Sequence, residues 1–387
     1  MNILWLDLVS ELGGAQRSML EVCQALSANG VNVTAAVPYG PLFDLLKETG
    51  VPVYPVSAIR ATKRGWNFFV TTAKLLRAPS TIRQIVRVVK PDIVHANSLP
   101  AFLAASRSVN HIPLFWHVRD IKLPSVVAHE AAKKADRIIA ASQAIDEHLV
   151  EILSPRILGR IRVICNGIDP ARFSKGNRAE ARERLGIPLN VPVVGMIAHI
   201  VPWKRHDAFI SAAALIRKQR PDAQFVAVGR DLFGEHARYF AELEAQIKQE
   251  GLVDCFKWIK NIDAPEAILP AFDVLLHPPL QEPFGRVICE AMAARVPVVA
   301  AESAGPATII AQRESGILVR EGAPHDLARE VLALLADPER VSRLTEEAHR
   351  VVSAQFTVQH VCEQLTQEYQ SVLAAHRADN APRKDDD

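Results

Sequence analysis

Nowhere does this chain approach the roughly 18 consecutive apolar residues that a membrane-crossing helix requires, so an integral membrane protein is excluded. Its first ten residues, MNILWLDLVS, enter an apolar run with no basic lead-in and no small-residue cleavage site, and no secretory signal is expected there. Cysteine is scarce, five in 387 residues, odd in number and without a CxxC. That usage argues against a zinc site and for reduced thiols in a cytoplasmic setting. Net charge is almost absent, +2 from 45 basic and 43 acidic residues, so bulk charge implies no nucleic-acid partner. The GxGxxG fingerprint of dinucleotide binding is also missing.

One absence is local. Between Glu48 and Asp92 there is no acid, while Arg60, Lys63, Arg64, Lys74, Arg77, Arg83, Arg87 and Lys90 all fall there. Trp66, Phe68, Phe69, Leu75 and Leu76 are interleaved with them. The pattern suits a basic amphipathic helical region on an anionic membrane surface, which would place the protein peripherally at the inner face of a membrane. A solvated helix face with ordinary core contacts accounts for it equally well.

What is present is a globular composition, 49% apolar and 23% charged, in a chain longer than one hydrophobic core accommodates. Short apolar runs alternate with helical patterns throughout. The first half carries ILWLDL, VNVTAAV, VPVYPV, DIVHAN, PLFWHV, RIIAAS and IRVICNG. In the second half follow VPVVGMIAH, AQFVAVG, VDCFKWI, FDVLLHP, VPVVAA and GILV. Between the first two, Ala15 to Asn29 puts Met19, Cys23 and Leu26 on one helix face, with Gly30 as the stop. Such runs, separated by helices, describe parallel strands buried on both sides. The polar segment 170–188 interrupts the rhythm. The expected fold is therefore α/β, two doubly wound Rossmann-like domains facing across a cleft, 1–170 and 171–355. A C-terminal helix, 356–375, is expected to pack back on the first domain, and 376–387 to be a disordered tail.

Ligands of open parallel sheets sit beyond the carboxyl ends of the strands, so chemistry is sought in strand-to-helix loops. In ELGGAQRSML, Gly13 and Gly14 follow a strand and open a helix, where backbone can approach a ligand. In GMIAHIVPWKRHD, His199, Lys204 and Arg205 follow a strand, and a lysine there can neutralise a phosphate. In HPPLQEPFGRVICE, Glu282 stands in a proline-bounded loop and Glu290 comes eight positions later on a helix. Phe284, Val287, Ile288, Ala291 and Met292 form that helix's apolar stripe, and Glu290 lies well away from it beside Arg286. Two carboxylates with helix amides between them suit a polyhydroxylated ligand. A plain i,i+4 pair of Arg286 with Glu290, worth about 0.2–0.5 kcal/mol, is the competing account.

EPFGRVICE resembles the E-x7-E motif of retaining glycosyltransferases. With it, LGGAQR, PDIVHANS, FWHVRD, ADRIIAASQAIDEHL, VICNGIDPARF and the stretch from VDCFKWIKNI to VPVVA resemble glycosyltransferase family 4 in order and spacing across nearly the whole chain. The resemblance implies the two-domain GT-B architecture, acceptor binding by the first domain and a nucleoside-diphosphate sugar held by the second. It implies no cofactor and no bound metal. By position, Glu282 would contact hydroxyls of the donor sugar, Glu290 the ribose and Lys204 the diphosphate. The loop Pro283, Phe284, Gly285 and Arg286 would assist, and the main chain around Trp258 and Ile259 would meet the base. His117, in HVRD, matches the histidine beside the reacting carbon, and Gly14 would approach the diphosphate. The chain departs from the family where His199 replaces an arginine and Arg205 a glycine. A neutral imidazole offers one donor where guanidinium offers five, and Arg205 would compensate.

The implied reaction is transfer, with retention, to a hydroxyl of a glycan, a lipid-linked or a small-molecule acceptor, in cell-surface polysaccharide or lipopolysaccharide biosynthesis. Glu282, His117 and Lys204 would be catalytic. A nucleotide-sugar epimerase on the same scaffold would isomerise donor alone, and a non-catalytic binding subunit would bind donor without turnover. A phosphorylase would require a lysine for pyridoxal phosphate, for which no convincing segment exists.

Overall fold

A computed structural model of the chain describes residues 1–59, 66–260, 264–279, 281–320 and 323–379, with side chains of the helix Trp66–Val89 described from residue 78 onward. Every apolar run named above contains one strand, and the strands form two sheets in two compact units.

The first unit comprises residues 1–167 with 358–387. Its strands are β1 (Asn2–Leu6), β2 (Asn32–Val37), β3 (Val53–Pro55), β4 (Ile93–Ala96), β5 (Leu114–Val118), β6 (Arg137–Ala140) and β7 (Ile161–Val163). They lie parallel in the order β3-β2-β1-β4-β5-β6-β7. Side chains alternate across a strand, so β1 feeds two cores. Leu4 and Leu6 join Phe102 and Trp116 on one face, whereas Ile3 and Trp5 join Met19, Cys23 and Phe115 on the other. The helix Gly14–Ala28 buries Met19, Val22, Cys23 and Leu26 and stops at Asn29 before Gly30, whose φ is +80°. The C-terminal helix Val358–Asp379 packs on this same face, burying Val361, Leu365, Tyr369 and Val372.

The second unit spans residues 168–357. Its strands are β8 (Val193–Ile197), β9 (Gln224–Val228), β10 (Phe256–Ile259), β11 (Val274–His277), β12 (Val298–Ala301) and β13 (Ile317–Val319). Their order is β10-β9-β8-β11-β12-β13, again parallel. Two glycines are dictated by packing. A Cβ on Gly195 would come within 2.1 Å of the Phe272 ring, and one on Gly229 within 1.8 Å of the Ala198 carbonyl oxygen.

Two expectations shift, the domain bounds and the tail. The chain passes between units at residues 167–168 and again at 357–358, not at 170 and 355. The polar segment 170–188 folds into the helices Pro170–Phe173 and Arg178–Leu185 of the second unit. There Arg182 is fully buried, donating to the carbonyls of Ala271, Pro188, Leu189 and Val191 and to Asp273. A guanidinium tolerates burial only when its donors are matched in this way, which composition does not reveal. Lastly, helix continues through residues 376–379 of the expected tail, while 380–387 lie outside the described residues.

Of the basic stretch, Arg60, Lys63 and Arg64 lie outside the described residues, as do the side chains of Lys74 and Arg77; Arg83, Arg87 and Lys90 are exposed. Among the described residues no helix is long and apolar enough to cross a membrane.

Candidate functional site

In each sheet the strand order reverses direction at one point, between β1 and β4 in the first unit and between β8 and β11 in the second. Loops leaving neighbouring strands there diverge and open a crevice at the strands' carboxyl ends. Asp7 and Asn97 stand at the first of these points, and Lys204 and Glu282 at the second.

In the second unit, β8 leads through Ala198 and His199 to the 3-10 turn Pro202–Lys204, and β11 ends on His277, five residues before Glu282. Glu282 is 6% exposed, yet it is a paired carboxylate. Its Oε2 accepts from Lys204 Nζ in a short contact and lies 3.2 Å from His277 Nε2. The loop that carries it is held by Ser303 Oγ donating to the Pro279 carbonyl (3.2 Å) and by the Gly305 amide donating to the Glu282 carbonyl (2.8 Å). A Cβ on Gly305 would sit 2.4 Å from the Phe284 backbone, so only glycine lets the two segments close.

Burial alone would raise the Glu282 carboxyl from its ordinary 4.5, but the Lys204 ammonium and the His277 hydrogen bond outweigh it and leave it at about 2. Burial lowers His277, against the pull of Glu282, so its ring is neutral near pH 7. A depressed carboxyl contributes stability above its unfolded pKa and loses it as pH falls through the folded one. Glu282 should therefore contribute about 3 kcal/mol above pH 4.5 that fades towards pH 2. Urea unfolding of the wild type and Glu282→Gln at pH 7 and pH 3 measures this. The gap between the two proteins should narrow at pH 3, and a constant gap would remove the pairing from the account.

Glu290 lies on the helix Arg286–Ala293, and Gly285 caps that helix at φ +94°. Phe284 and Gly285 thus precede the helix, and its leading amides belong to Arg286, Val287 and Ile288. Glu290 accepts from Arg286 Nε at 2.8 Å, the i,i+4 pair that the spacing suggested. The pair is buried, the two side chains being only 10% and 7% exposed. Removing one partner of a buried pair strands the other, at a cost well above that of a surface pair. Pro283 is half-buried and Phe284 is buried, its ring centroid 5.9 Å from that of Phe356.

Arg205 takes the left-handed conformation, φ +56°, at the start of the helix His206–Gln219. A non-glycine residue is strained there by roughly 1–2 kcal/mol. Its Nε donates to Asp207 at 3.1 and 3.2 Å, so part of the guanidinium expected to assist phosphate binding is engaged within its own turn. His199 is half-buried beside this turn. The Trp258 indole is packed against His206, Phe240 and Phe256, and the Ile259 carbonyl accepts from the Gly229 amide at 2.8 Å.

In the first unit a buried network grows from Asp7, just past β1. Its carboxylate accepts from Leu8 N (2.7 Å), Gln16 Nε2 (3.0 Å), Asn97 Nδ2 (2.8 Å) and Ser98 Oγ (3.2 Å). Asn97 Oδ1 then accepts from Arg119 Nε at 2.7 Å, and the Arg119 guanidinium reaches Asn166, Ser18 and, at 3.5 Å, His117 Nδ1. His117 is 2% exposed at the end of β5, and its Nε2 has no partner among the described residues. Burial and the Arg119 charge hold both His117 and His95 well below the ordinary imidazole range. Gly14 opens the first helix beside Gln16; a Cβ there would meet nothing within 4 Å, so the protein itself does not require glycine at that position.

The structure thus brings Glu282 to Lys204 and Glu290 to Arg286 in the second unit, and sets His117 and Gly14 in the first. Sequence reasoning missed His277, Asp7, Asn97, Arg119, His95 and Tyr369. The motifs HPP, HANS and HVRD contained four of them, but a lone polar residue at a strand end carries no sign of its partner. Among the described residues no group of three His, Cys, Asp or Glu side chains could hold a metal ion.

Comparison with known proteins adds to this geometry. The family model described as "Glycosyltransferase Family 4" matches residues 12–172, and that described as "Glycosyl transferases group 1" matches residues 177–351. Relatives include D-inositol 3-phosphate glycosyltransferase 2 of Catenulispora acidiphila, 32% identical over 55% of this chain and 51% of that protein. The D-inositol 3-phosphate glycosyltransferase of Stackebrandtia nassauensis is 29% identical over 72% of this chain and 68% of its own length. The chain therefore spans about half to two thirds of the length of these curated relatives. In fold it is similar to Anabaena Alr3699/HepE in complex with UDP-glucose, with a TM-score of 0.82 at 24% identity over 96% of this chain and 100% of that one. Sucrose-phosphate synthase from Thermosynechococcus elongatus also has a TM-score of 0.82, at 20% identity over 97% and 100% of the two chains. Two glycosyltransferase domains, matched in succession along two parallel-sheet Rossmann-like units, thus make up most of the chain, and its fold is the GT-B fold of its solved structural neighbours.

Proposed function

We propose that the protein moves a sugar from a nucleoside-diphosphate sugar to an acceptor hydroxyl with retention of anomeric configuration. The observation that carries this reading is the buried Lys204–Glu282–His277 group at the switch point of the second sheet, with the paired Arg286 and Glu290 on the helix that follows. Glu282, held ionised, is an acceptor for sugar hydroxyls; Glu290, steadied by Arg286, is an acceptor for ribose hydroxyls. When the glycosidic bond to the diphosphate breaks, negative charge grows on the phosphates. A preorganised ammonium at Lys204 and the helix amides of Arg286 and Val287 stabilise that charge without reorganising. His117 contributes a contact to the donor sugar, and the departing phosphate takes the acceptor's proton.

Alr3699/HepE was seen with UDP-glucose and with UDP and glucose, which supports a uridine diphosphate sugar as the first donor to test. Relatives named for D-inositol 3-phosphate support including a phosphorylated polyol beside glycan and lipid-linked acceptors. The test is a thermal-shift screen of nucleotide sugars, followed by NMR of the product anomer. A true donor at a hundred times its Kd should add about 2.7 kcal/mol of stability. If no nucleotide sugar stabilises the protein, the donor assignment fails, and an inverted product would rule out retention. An isomerised sugar from donor alone would identify an epimerase, and saturable binding with no turnover a binding subunit.

A further inference from the structure

His117 is joined on its Nδ1 side to a chain of hydrogen bonds that ends on the C-terminal helix. His95 Nε2 lies 3.1 Å from His117 Nδ1, and the Tyr369 hydroxyl lies 2.7 Å from His95 Nδ1. All three side chains are at most 2% exposed. The His95 ring is clamped, stacked on Trp5 with centroids 3.8 Å apart and planes 9° apart, and met edge-on by Tyr369. The His95 ring therefore cannot turn to find other partners.

Each of these bonds needs one donor and one acceptor, so the chain has only two polarities. In one, His117 carries its proton on Nδ1, His95 on Nδ1 as well, and Tyr369 accepts. In the other, Tyr369 donates to His95 Nδ1, His95 donates from Nε2 to His117 Nδ1, and His117 carries its proton on Nε2. Arg119 and Tyr369, one at each end of the chain, together favour the second. Its Nη2, 3.5 Å from His117 Nδ1, is always a donor, because a guanidinium has no acceptor and stays charged. Arg119 is itself fixed by Asn97, Ser18 and Asn166, and through Asn97 to the buried Asp7. An N–H at His117 Nδ1 would face that cation, whereas a lone pair satisfies it.

We infer that Tyr369, acting through His95, holds His117 as the neutral tautomer protonated on Nε2, with that N–H reserved for an oxygen of the donor sugar. Burial of both rings beside Arg119 favours neutrality, in keeping with this. His117 Nε2 is then a hydrogen-bond donor with no partner among the described residues, and it has no lone pair with which to act as a base. The functional half of this inference rests on the glycosyl-transfer reading; the tautomer does not. Tyr369 and His95 are positioning residues, which explains why the C-terminal helix returns to the first sheet at the level of the site rather than merely covering apolar surface.

The test is nitrogen-15 NMR of the full-length protein labelled at histidine, at pH 7, with His117 and His95 identified by the signals lost in His117→Gln and His95→Gln. Both rings should show an unprotonated Nδ1 and a protonated Nε2. A proton on Nδ1 of either ring, or a charged His117, overturns the inference without any appeal to activity. In Tyr369→Phe, His95 loses its donor and should populate both tautomers. The transfer rate kcat should then fall about tenfold while the donor KM stays within about twofold, a split that a merely structural lesion does not produce. Unchanged tautomers in that variant would remove Tyr369 from the account. If Tyr369→Phe does not fold, the wild-type His95 spectrum still decides whether the tyrosine donates. Should the tautomers be as stated while no nucleotide sugar is turned over, the proposed reaction fails and the tautomer assignment stands.

Discussion

Glu282→Gln should lower the transfer rate by about 10²- to 10³-fold, the loss usual when a charge-bearing group aimed at the reacting substrate is neutralised in a dry site. The substitution keeps the side chain's shape, so the loss isolates charge from volume. Wild-type Glu282 sits beside Lys204 and His277 with a carboxyl near 2, fully ionised at any working pH. The amide variant can still accept a hydrogen bond from a sugar hydroxyl, but more weakly than a carboxylate. It also leaves Lys204, 13% exposed, without its counter-ion. The rate should therefore be measured well below the variant's melting temperature, with circular dichroism showing an intact fold. A kcat within threefold of wild type would take Glu282 out of the reaction.

Lys204→Ala should act twice. Removing the ammonium deprives the departing diphosphate of its cation, so affinity for the nucleoside diphosphate alone should weaken, as titration calorimetry would show. It also strands Glu282, a buried carboxylate left with a neutral histidine, and breaking such a pair costs about 3–5 kcal/mol. With the ammonium gone, burial becomes the dominant influence and the Glu282 carboxyl rises. A group whose folded pKa rises contributes stability at low pH and loses it as pH climbs, so the variant's deficit should be smaller at pH 5 than at pH 8. Pairing Lys204→Met with Glu282→Gln should recover much of the loss, with a coupling of about 1–3 kcal/mol in urea unfolding. Additive single effects would mean that the two side chains do not act as a pair.

Much of the fold was legible because parallel strands buried on both faces must be apolar at nearly every position. Runs such as VNVTAAV and VPVVGMI therefore announced strands without help from pairing partners. Gly30 closed its helix through a local conformational demand that needs no tertiary context. The spacing of Glu282 and Glu290 was equally local. Glu290 could be read as one arm of a ligand holder or as the i,i+4 partner of Arg286, and the Arg286–Glu290 contact exists while both of those side chains are buried.

Other features had no local sign. Arg182 lies in a segment as polar as any linker, yet it is buried because, beside three nearby carbonyls, the Ala271 carbonyl and Asp273 reach it from 89 and 91 positions away. Tyr369 lies 274 positions from His95, and nothing in the helix pattern separates it from an ordinary core residue. Lys204 and Glu282 stand 78 positions apart and meet only because β8 and β11 are neighbours at the switch point.

By itself, then, the amino-acid order determined the alternation of strands and helices, the two-unit division and which loops carry polar residues. These follow from hydrophobic periodicity and turn chemistry, whose range is a few residues. Only tertiary structure decided which carboxylate meets which cation, which histidine is neutral and which nitrogen bears its proton. Those properties depend on desolvation and on partners delivered by strand order, and both arise only when distant segments are packed together.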